Sequence, residues 1–326
     1  MAIISNCTAS IIKDAALALK EGRLVAFPTE TVYGLGADAT NERAVARIYE
    51  VKGRPTDHPL IVHISSMELM DKWASEIPEY AIKLARAFWP GPMTLVLKRT
   101  DMAKDFITGG QDTVAIRIPN HVLALKFLKN FEDIGGYGVV APSANRFGKV
   151  SPTSAYLVKL AIGSHLSHKD LILDGGESSI GIESTIIDCT SINPIILRPG
   201  FITYEDLSEF IHTENYKPSN TVRISGSYQS HYAPNTEVVI CANPSKGDGF
   251  IAMEDVLTPS GSIRLASPKT DEEFAHLLYS SLMLADLKGI KKVCIHFSSG
   301  TGIKVAIEDR LIKMTSKVLG HKNQVK

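Results

Sequence analysis

A series of short stretches gathers the side chains that bind anions. Phe27-Pro-Thr-Glu-Thr-Val-Tyr-Gly-Leu-Gly36 carries two threonine hydroxyls and a carboxylate between an apolar run and two glycines. Lys52-Gly53-Arg54 sets two cations around a glycine that lets backbone approach an anion, and Pro55 stiffens the exit. Arg117 closes an apolar run just before Pro119, and Ala141-Pro-Ser-Ala-Asn145 follows another. Ile182-Glu-Ser-Thr-Ile186 and Leu197-Arg-Pro-Gly200 repeat the theme. Each alone is ordinary turn chemistry. Together, at the ends of strand-like runs where α/β sheets hold ligands, they describe one pocket for an anionic small molecule.

The familiar catalytic signatures are missing. Gly148-Lys149 is followed by Val150, so there is no GxxxxGK[ST] phosphate loop. Gly34-Leu-Gly-Ala-Asp-Ala39 fits GxGxxA, the dinucleotide turn, but the acid that should end a second strand about 20 residues on is absent. The first acid after the Leu60–Ile64 run is Glu68, too late for that role. No GxSxG elbow occurs and no cysteine lies in an activating signature, so covalent catalysis has no candidate. His165 and His168 stand three apart in a polar loop without a third ligand and read as solvated side chains rather than a metal pair.

An α/β framework must position these stretches. Ile11, Ile12, Ala15, Ala16 and Leu19 share one helical face over 10–21, and Gly22 supplies a stop. Leu24–Phe27 reads as a buried strand that gives way to a glycine loop through Gly36, and Asn41 caps a helix to about Glu50. Strands fit Leu60–Ile64, Thr94–Lys98, Val114–Ile118, Val139–Ala141, Leu171–Leu173, Thr185–Asp188 and Ile195–Leu197, with helices near Pro78–Phe88 and His121–Leu128. Helices alternating with β-branched runs indicate an α/β fold with a mixed sheet. Residues 212–235 are polar, with two prolines and one glycine, and read as a linker. Beyond it, strands fit Val238–Cys241, Ile263–Ala266 and Val293–Phe297, and Thr270 with Glu273 forms a capping-box pattern before a helix to about Leu287.

The 326 residues exceed one ordinary domain, and 44% hydrophobic with 21% charged residues is a globular composition. Basic and acidic residues number 35 each; up to residue 210 the count is 21 against 24, and after it 14 against 11. That balance excludes a polybasic binder of nucleic acid and confines any anion site to a local cluster. Cys7, Cys189, Cys241 and Cys294 lie far apart with no CxxC pair, which argues against a disulfide framework or zinc cage and for a reducing compartment. The first residues lack a signal-peptide pattern and no run of 18 apolar residues occurs, so a cytoplasmic location without a membrane span is expected.

The motifs PTETVYGLGA, KGRP, HPLIVHI, WPGPMT, DTVAIRIP, APSAN, ESTIID and LRPG, in this order within residues 10–203, resemble the YrdC/Sua5 family, the L-threonylcarbamoyladenylate synthases. SHYAP at 230–234 resembles the end of the family's inter-domain linker, which points to the two-domain, Sua5-type form. The resemblance implies a YrdC-like catalytic domain over 1–210, with a twisted mixed sheet and flanking helices. A linker or lid would occupy 211–235, and a small Rossmann-like α/β domain 236–326. It implies that L-threonine, bicarbonate and ATP give threonylcarbamoyl-AMP and diphosphate, for t6A modification of tRNA adenosine 37. Both nucleophiles then belong to substrates, which agrees with the missing catalytic triad.

Residue roles follow from the same resemblance. Catalysis would rest on Lys52, Arg54, Ser143 and Asn145. Thr31, His63, Arg117, Ala141 and Ser184 would form the threonine pocket, Arg117 holding the carboxylate. ATP would lie against Lys52, Arg54, His58, Thr113, Ser143, Asn145, Ser151, Arg198 and His231, with Tyr232 near the nucleotide and Mg²⁺ held through the ATP phosphates. The partners implied are a downstream tRNA threonylcarbamoyltransferase complex and a weak tRNA contact, with no membrane. His58 stands where the family often has Asn, and the linker reads SGSYQSHYAP against a pattern nearer PGMKYRHYAP, so Ser225 and Ser230 replace a proline and a basic residue. On the residues alone two other classes compete. One is a non-catalytic nucleotide- or RNA-binding module using the same cationic cavity, which calls for an extended basic stripe or stacking platform. The other is an NAD-dependent dehydrogenase, weakened by the missing acid.

Overall fold

A computed structural model of the chain describes residues 3–6, 8–211, 222–224, 226 and 231–322. Among them, eleven strands form one sheet: β1 (Ile3–Asn6), β2 (Val25–Phe27), β3 (Gly34–Asp38), β4 (Ile61–His63), β5 (Ala74–Ser75), β6 (Met93–Arg99), β7 (Thr113–Arg117), β8 (Val139–Val140), β9 (Leu171–Asp174), β10 (Thr185–Asp188) and β11 (Ile195–Arg198). Their spatial order is β1-β9-β2-β3-β8-β4-β7-β6-β10-β11, with β5 paired to β6. The sheet is mixed. β2 runs parallel to β9, β4 to β7 and β6 to β10, whereas β3 and β8 are antiparallel to each other and to β2 and β4 respectively.

Helices α1 (Ala9–Lys20), α2 (Glu42–Lys52), α3 (Met70–Trp73), α4 (Glu79–Phe88), α5 (Asp105–Thr108), α6 (Val122–Asp133), α7 (Ala155–Ile162) and α8 (Tyr204–Ser208) accompany this sheet. Strand alternation sorts its two faces. Val25, Phe27 and Leu173 pack against α1 and α6, while Ala26 and Ile172, one residue away, join the core under α2, α4 and α7. Local chemistry sets the helix starts: the Thr8 hydroxyl accepts the Ile11 N–H at 3.3 Å and the Asn41 side chain accepts that of Ala44 at 3.1 Å.

A second sheet is built from β12 (Glu237–Ile240), β13 (Gly249–Ile251), β14 (Ile263–Ala266) and β15 (Lys292–Ile295), in the order β12-β15-β13-β14 and parallel throughout. Helices α9 (Asp271–Leu287) and α10 (Ile303–Lys322) follow β14 and β15. The Thr270 hydroxyl accepts the Glu273 N–H at 3.2 Å, but the Glu273 carboxylate takes the Lys269 N–H at 2.7 Å, so only half of the expected capping box forms. Phe274, Leu278, Leu282, Ile307 and Leu311 fill the core of this unit, which continues through Tyr232 into Val32, Val150 and Ile182 of the larger one.

Two expectations are corrected. Gly34–Asp38 is not a loop or a dinucleotide turn but a fully buried strand, antiparallel to β2. A Cβ on Gly36 would come within 3.0 Å of the Phe27 ring, Val139 and the Val25 carbonyl, so the glycines serve close packing rather than a phosphate. Cys241 and Cys294 form a disulfide with Cα atoms 5.4 Å apart, because the neighbouring strands β12 and β15 bring together residues that are 53 positions apart. Cys189 is buried and free, and Cys7 lies outside the described residues. No described helix is long and apolar enough to cross a membrane.

Candidate active site

The polar stretches converge on one hollow. The β2–β3 turn supplies Thr31 and Val32, the end of α2 supplies Lys52 and Arg54, β4 supplies Ile61 and His63, and β7 ends in Arg117. Ala141, Ser143, Asn145 and Phe147 come from the loop after β8, Glu183 and Ser184 from the entry to β10, and Arg198 from the end of β11. Gly226, His231 and Tyr232, from the segment between the two sheets, complete the lining. Gly53 makes the turn after α2 with a left-handed φ of 60°, which swings Arg54 back toward the site.

Hydrogen bonds hold the cations in distinct settings. Arg117 donates to the Thr31 hydroxyl at 2.9 Å, to Glu30 at 2.7 Å and to the Gly91 carbonyl at 3.3 Å. The Thr31 hydroxyl also meets that of Thr29 at 2.8 Å. Lys52 is buried with its ammonium on the carbonyls of Ser143 and Asn145, at 2.5 and 2.6 Å, so it fixes the Ala141–Asn145 loop from beneath. Burial, then the neighbouring Arg54 and Arg146, drive its pKa well below the usual lysine value. Arg54 donates to the Pro59 carbonyl at 2.8 Å and lies 5.7 Å over the Phe147 ring; burial brings it down to about 10. Arg198 forks onto the Ser184 carbonyl at 3.1 and 2.8 Å, and the Ser184 hydroxyl meets Thr94 at 2.8 Å.

Two histidines stay neutral there. Burial, then Arg117, hold His63 down at about 3, and burial does the same to His231. Glu183 goes the other way. Although burial works to raise it, Arg310, Arg198 and a bond from Ser151 keep its carboxyl at about 2. The hollow thus presents Lys52, Arg54, Arg117 and Arg198 against one carboxylate among its described lining residues.

Three of the sequence-chosen residues fall elsewhere. Thr113 opens β7 and lines a separate hollow with Gln111, Arg223 and Ile224. It lies four positions upstream of Arg117, roughly 13 Å along an extended strand. His58 is buried behind Phe147, its ring edge-on at 5.4 Å, and does not line the hollow. Ser151 reaches it only through Glu183, to which it donates at 2.6 Å. Residues 212–221, 225 and 227–230, including Ser225 and Ser230, lie outside the described residues. Reasoning from sequence passed over Glu183 and Phe147 as site residues, although both sit inside or beside motifs already singled out, ESTIID and APSAN. His165 and His168 are exposed, and no group of three His, Cys, Asp or Glu among the described residues is placed to hold a metal ion.

Comparison with known proteins agrees along the chain. Residues 17–200 match the Sua5/YciO/YrdC family, described as telomere recombination, and residues 202–316 match the threonylcarbamoyl-AMP synthase C-terminal domain. A threonylcarbamoyl-AMP synthase of Pyrococcus abyssi is 41% identical, over 96% of this chain and 97% of its own. One from Bacillus subtilis is 36% identical, over 93% and 92%. The solved structure of P. abyssi Sua5 complexed with L-threonine superposes with a TM-score of 0.87 at 39% identity, covering 96% of this chain and 98% of that one.

Proposed function

The chain belongs to the YrdC/Sua5 family in its Sua5-type, two-domain form, a nucleotidyltransferase with threonylcarbamoyl-AMP synthase activity, and from that premise we propose how its hollow performs the reaction. L-threonine, bicarbonate and ATP are the substrates, and threonylcarbamoyl-AMP and diphosphate the products. The threonine amine adds to carbon dioxide and gives up a proton, or displaces water from bicarbonate, and the resulting carbamate oxygen attacks the α-phosphate and expels diphosphate. Holding the reactants in line can supply roughly 7–11 kcal/mol at best.

Arg117 takes the threonine carboxylate with Thr31, His63, Ala141 and Ser184 around the rest of the amino acid. The support is Arg117's fork, already bonded to Thr31 and to Glu30, which fixes its orientation. Arg54 and Arg198, with Ser143, Asn145 and His231, receive the nucleotide. Lys52, held on two carbonyls, acts mainly by shaping the loop that carries Ser143 and Asn145 and adds positive field from below. Mg²⁺ held through the ATP phosphates, as part of the substrate, would draw charge from their oxygens. The lining suits that arrangement, since its single described carboxylate is already spoken for by Arg310, Tyr279 and Ser151.

The observation that carries this reading is the set of four cations around one hollow. The space inside is about 50 Å³, room for a few waters but far below the usual several hundred for a ligand pocket, so the hollow must widen to admit ATP. We assign residues 1–210 to the catalytic domain, 211–235 to a linker that acts as a lid, and 236–326 to the C-terminal domain. The product passes in the cytoplasm to a tRNA threonylcarbamoyltransferase complex, with at most a weak tRNA contact here. Mass spectrometry of the products from ATP, Mg²⁺, bicarbonate and L-threonine tests the reading. Threonylcarbamoyl-AMP is expected only in the complete mixture; an adenylate formed without threonine or without bicarbonate overturns it.

A further inference from the structure

Glu183 lines the hollow, yet two of its three partners come from the C-terminal unit. Its Oε1 accepts the Ser151 hydroxyl at 2.6 Å. Its Oε2 accepts both the Tyr279 hydroxyl of α9 and Nε of Arg310 of α10, each at 2.9 Å. Arg310 is wholly buried. It also donates to the Pro199 carbonyl at 3.0 Å, next to Arg198, and pairs with Asp309 at 2.6 Å. The same two residues grip Tyr232: the Arg310 guanidinium lies 5.1 Å over its ring, and Tyr279 stacks on it at 5.9 Å with the planes 21° apart. Tyr232 needs that grip, because its φ of 60° is left-handed and costly for a tyrosine unless the surroundings impose it.

We propose that Arg310 and Tyr279 are positioning residues of the active site, through which the C-terminal domain neutralises Glu183 and holds Tyr232 against the nucleotide end of the hollow. This rests on the reading of the hollow as the ATP site. A helix that only needed to pack would place an aliphatic side chain at position 310, on the stripe of Ile303, Ala306, Ile307, Leu311 and Met314. Burying an arginine there is worthwhile only against a partner charge, and removing it leaves Glu183 as an unpaired carboxylate facing the phosphates. The charged and titratable groups around Glu183 are Arg310, Asp309 and Lys313 on α10, Tyr279 on α9, Arg198, and His231 with Tyr232. Burial, then Glu183, raise the Tyr279 hydroxyl well above its ordinary value, so it remains a donor.

The test is steady-state kinetics of the full chain across pH 5–9, with melting temperature recorded, for Arg310→Met, Tyr279→Phe and Arg310→Met combined with Glu183→Gln. For Arg310→Met, the KM for ATP should rise about tenfold or more near pH 8 and the KM for threonine far less. The rise should shrink as pH falls, because the freed carboxyl of Glu183 then takes up a proton. Adding Glu183→Gln should remove that pH dependence and restore most of the ATP KM. An unchanged ATP KM overturns the proposal, as does a pH-independent loss shared by both substrates and not recovered by Glu183→Gln, which would mark Arg310 as an interface staple. If Arg310→Met does not fold, Tyr279→Phe decides, with a rise in ATP KM of a few-fold expected and no change contradicting it. Arg54→Ala in the same series separates the two readings, since an unaltered ATP KM there fails the assignment of the hollow itself.

Discussion

Glu183, His63 and His231 share one hollow and are each held in a fixed protonation state, which has a consequence for acid stability. Glu183 has its folded pKa depressed to about 2 from 4.5, so its contribution is complete above about 4.5 and lost as pH falls through 2. That shift amounts to at most roughly 3 kcal/mol. The two histidines are buried neutral at about 3 against 6.5, so unfolding takes up protons between those values and stability falls as pH drops below 6.5. Resistance to denaturant is therefore expected to weaken steadily from pH 7 to 3. Glu183→Gln should be less stable than the parent at pH 7, and the difference should narrow toward pH 3. A difference that does not change with pH would mean that the carboxylate's charge has no part in it. Because His63 is neutral throughout, threonine kinetics should show no histidine titration between pH 6 and 9.

At the scale of elements, the β2–β3 hairpin is the part that joins fold to site. Leu35 N–H bonds the Pro142 carbonyl and Ala144 N–H the Tyr33 carbonyl, both at 2.8 Å, so the hairpin clasps the Ala141–Asn145 loop. Gly36→Ala forces a methyl into contacts of 3.0 Å with Phe27, Val139 and the Val25 carbonyl. A loss of about 1–3 kcal/mol is expected, read by thermal unfolding, together with weaker ATP binding; an unchanged melting temperature would contradict the close-packing account. This hairpin also shows what the sequence could and could not disclose. Helix α1 was legible from its apolar stripe and the Gly22 stop, α2 from the Asn41 cap, and α9 from Thr270 and Glu273 ahead of an apolar run. Strand β3 was not, since glycine carries no strand signal and its reason lies in residues 139 and 25, distant in the chain or hidden by the turn. Thr113 was chosen by resemblance on a strand whose far end, at Arg117, reaches the hollow. Arg310 was visible in principle, as a lone charge on an apolar helical stripe, but its partner is 127 positions away.

On the scale of the whole molecule, charge is local rather than global. With 35 basic and 35 acidic residues the chain has no net field to attract polyanions, while four cations crowd one hollow. Binding to tRNA should accordingly be weak and only mildly salt-dependent between 50 and 200 mM salt, values at which phosphate-coating proteins lose orders of magnitude. A steep salt dependence, measured by fluorescence anisotropy with labelled tRNA, would revive a nucleic-acid-binding role. The two sheets share a hydrophobic cluster through Tyr232, which also lines the hollow, so that residue is both tether and wall of the site. The central claim is the division of one hollow between an amino acid on Arg117 and a nucleotide on Arg54. Kinetics of Arg117→Ala and Arg54→Ala with each substrate varied in turn test it most directly. The account predicts that Arg117→Ala weakens kcat/KM for threonine by about 2–5 kcal/mol with a much smaller effect on ATP, and that Arg54→Ala does the reverse. Collapse of ATP kinetics in Arg117→Ala with threonine unchanged would contradict it.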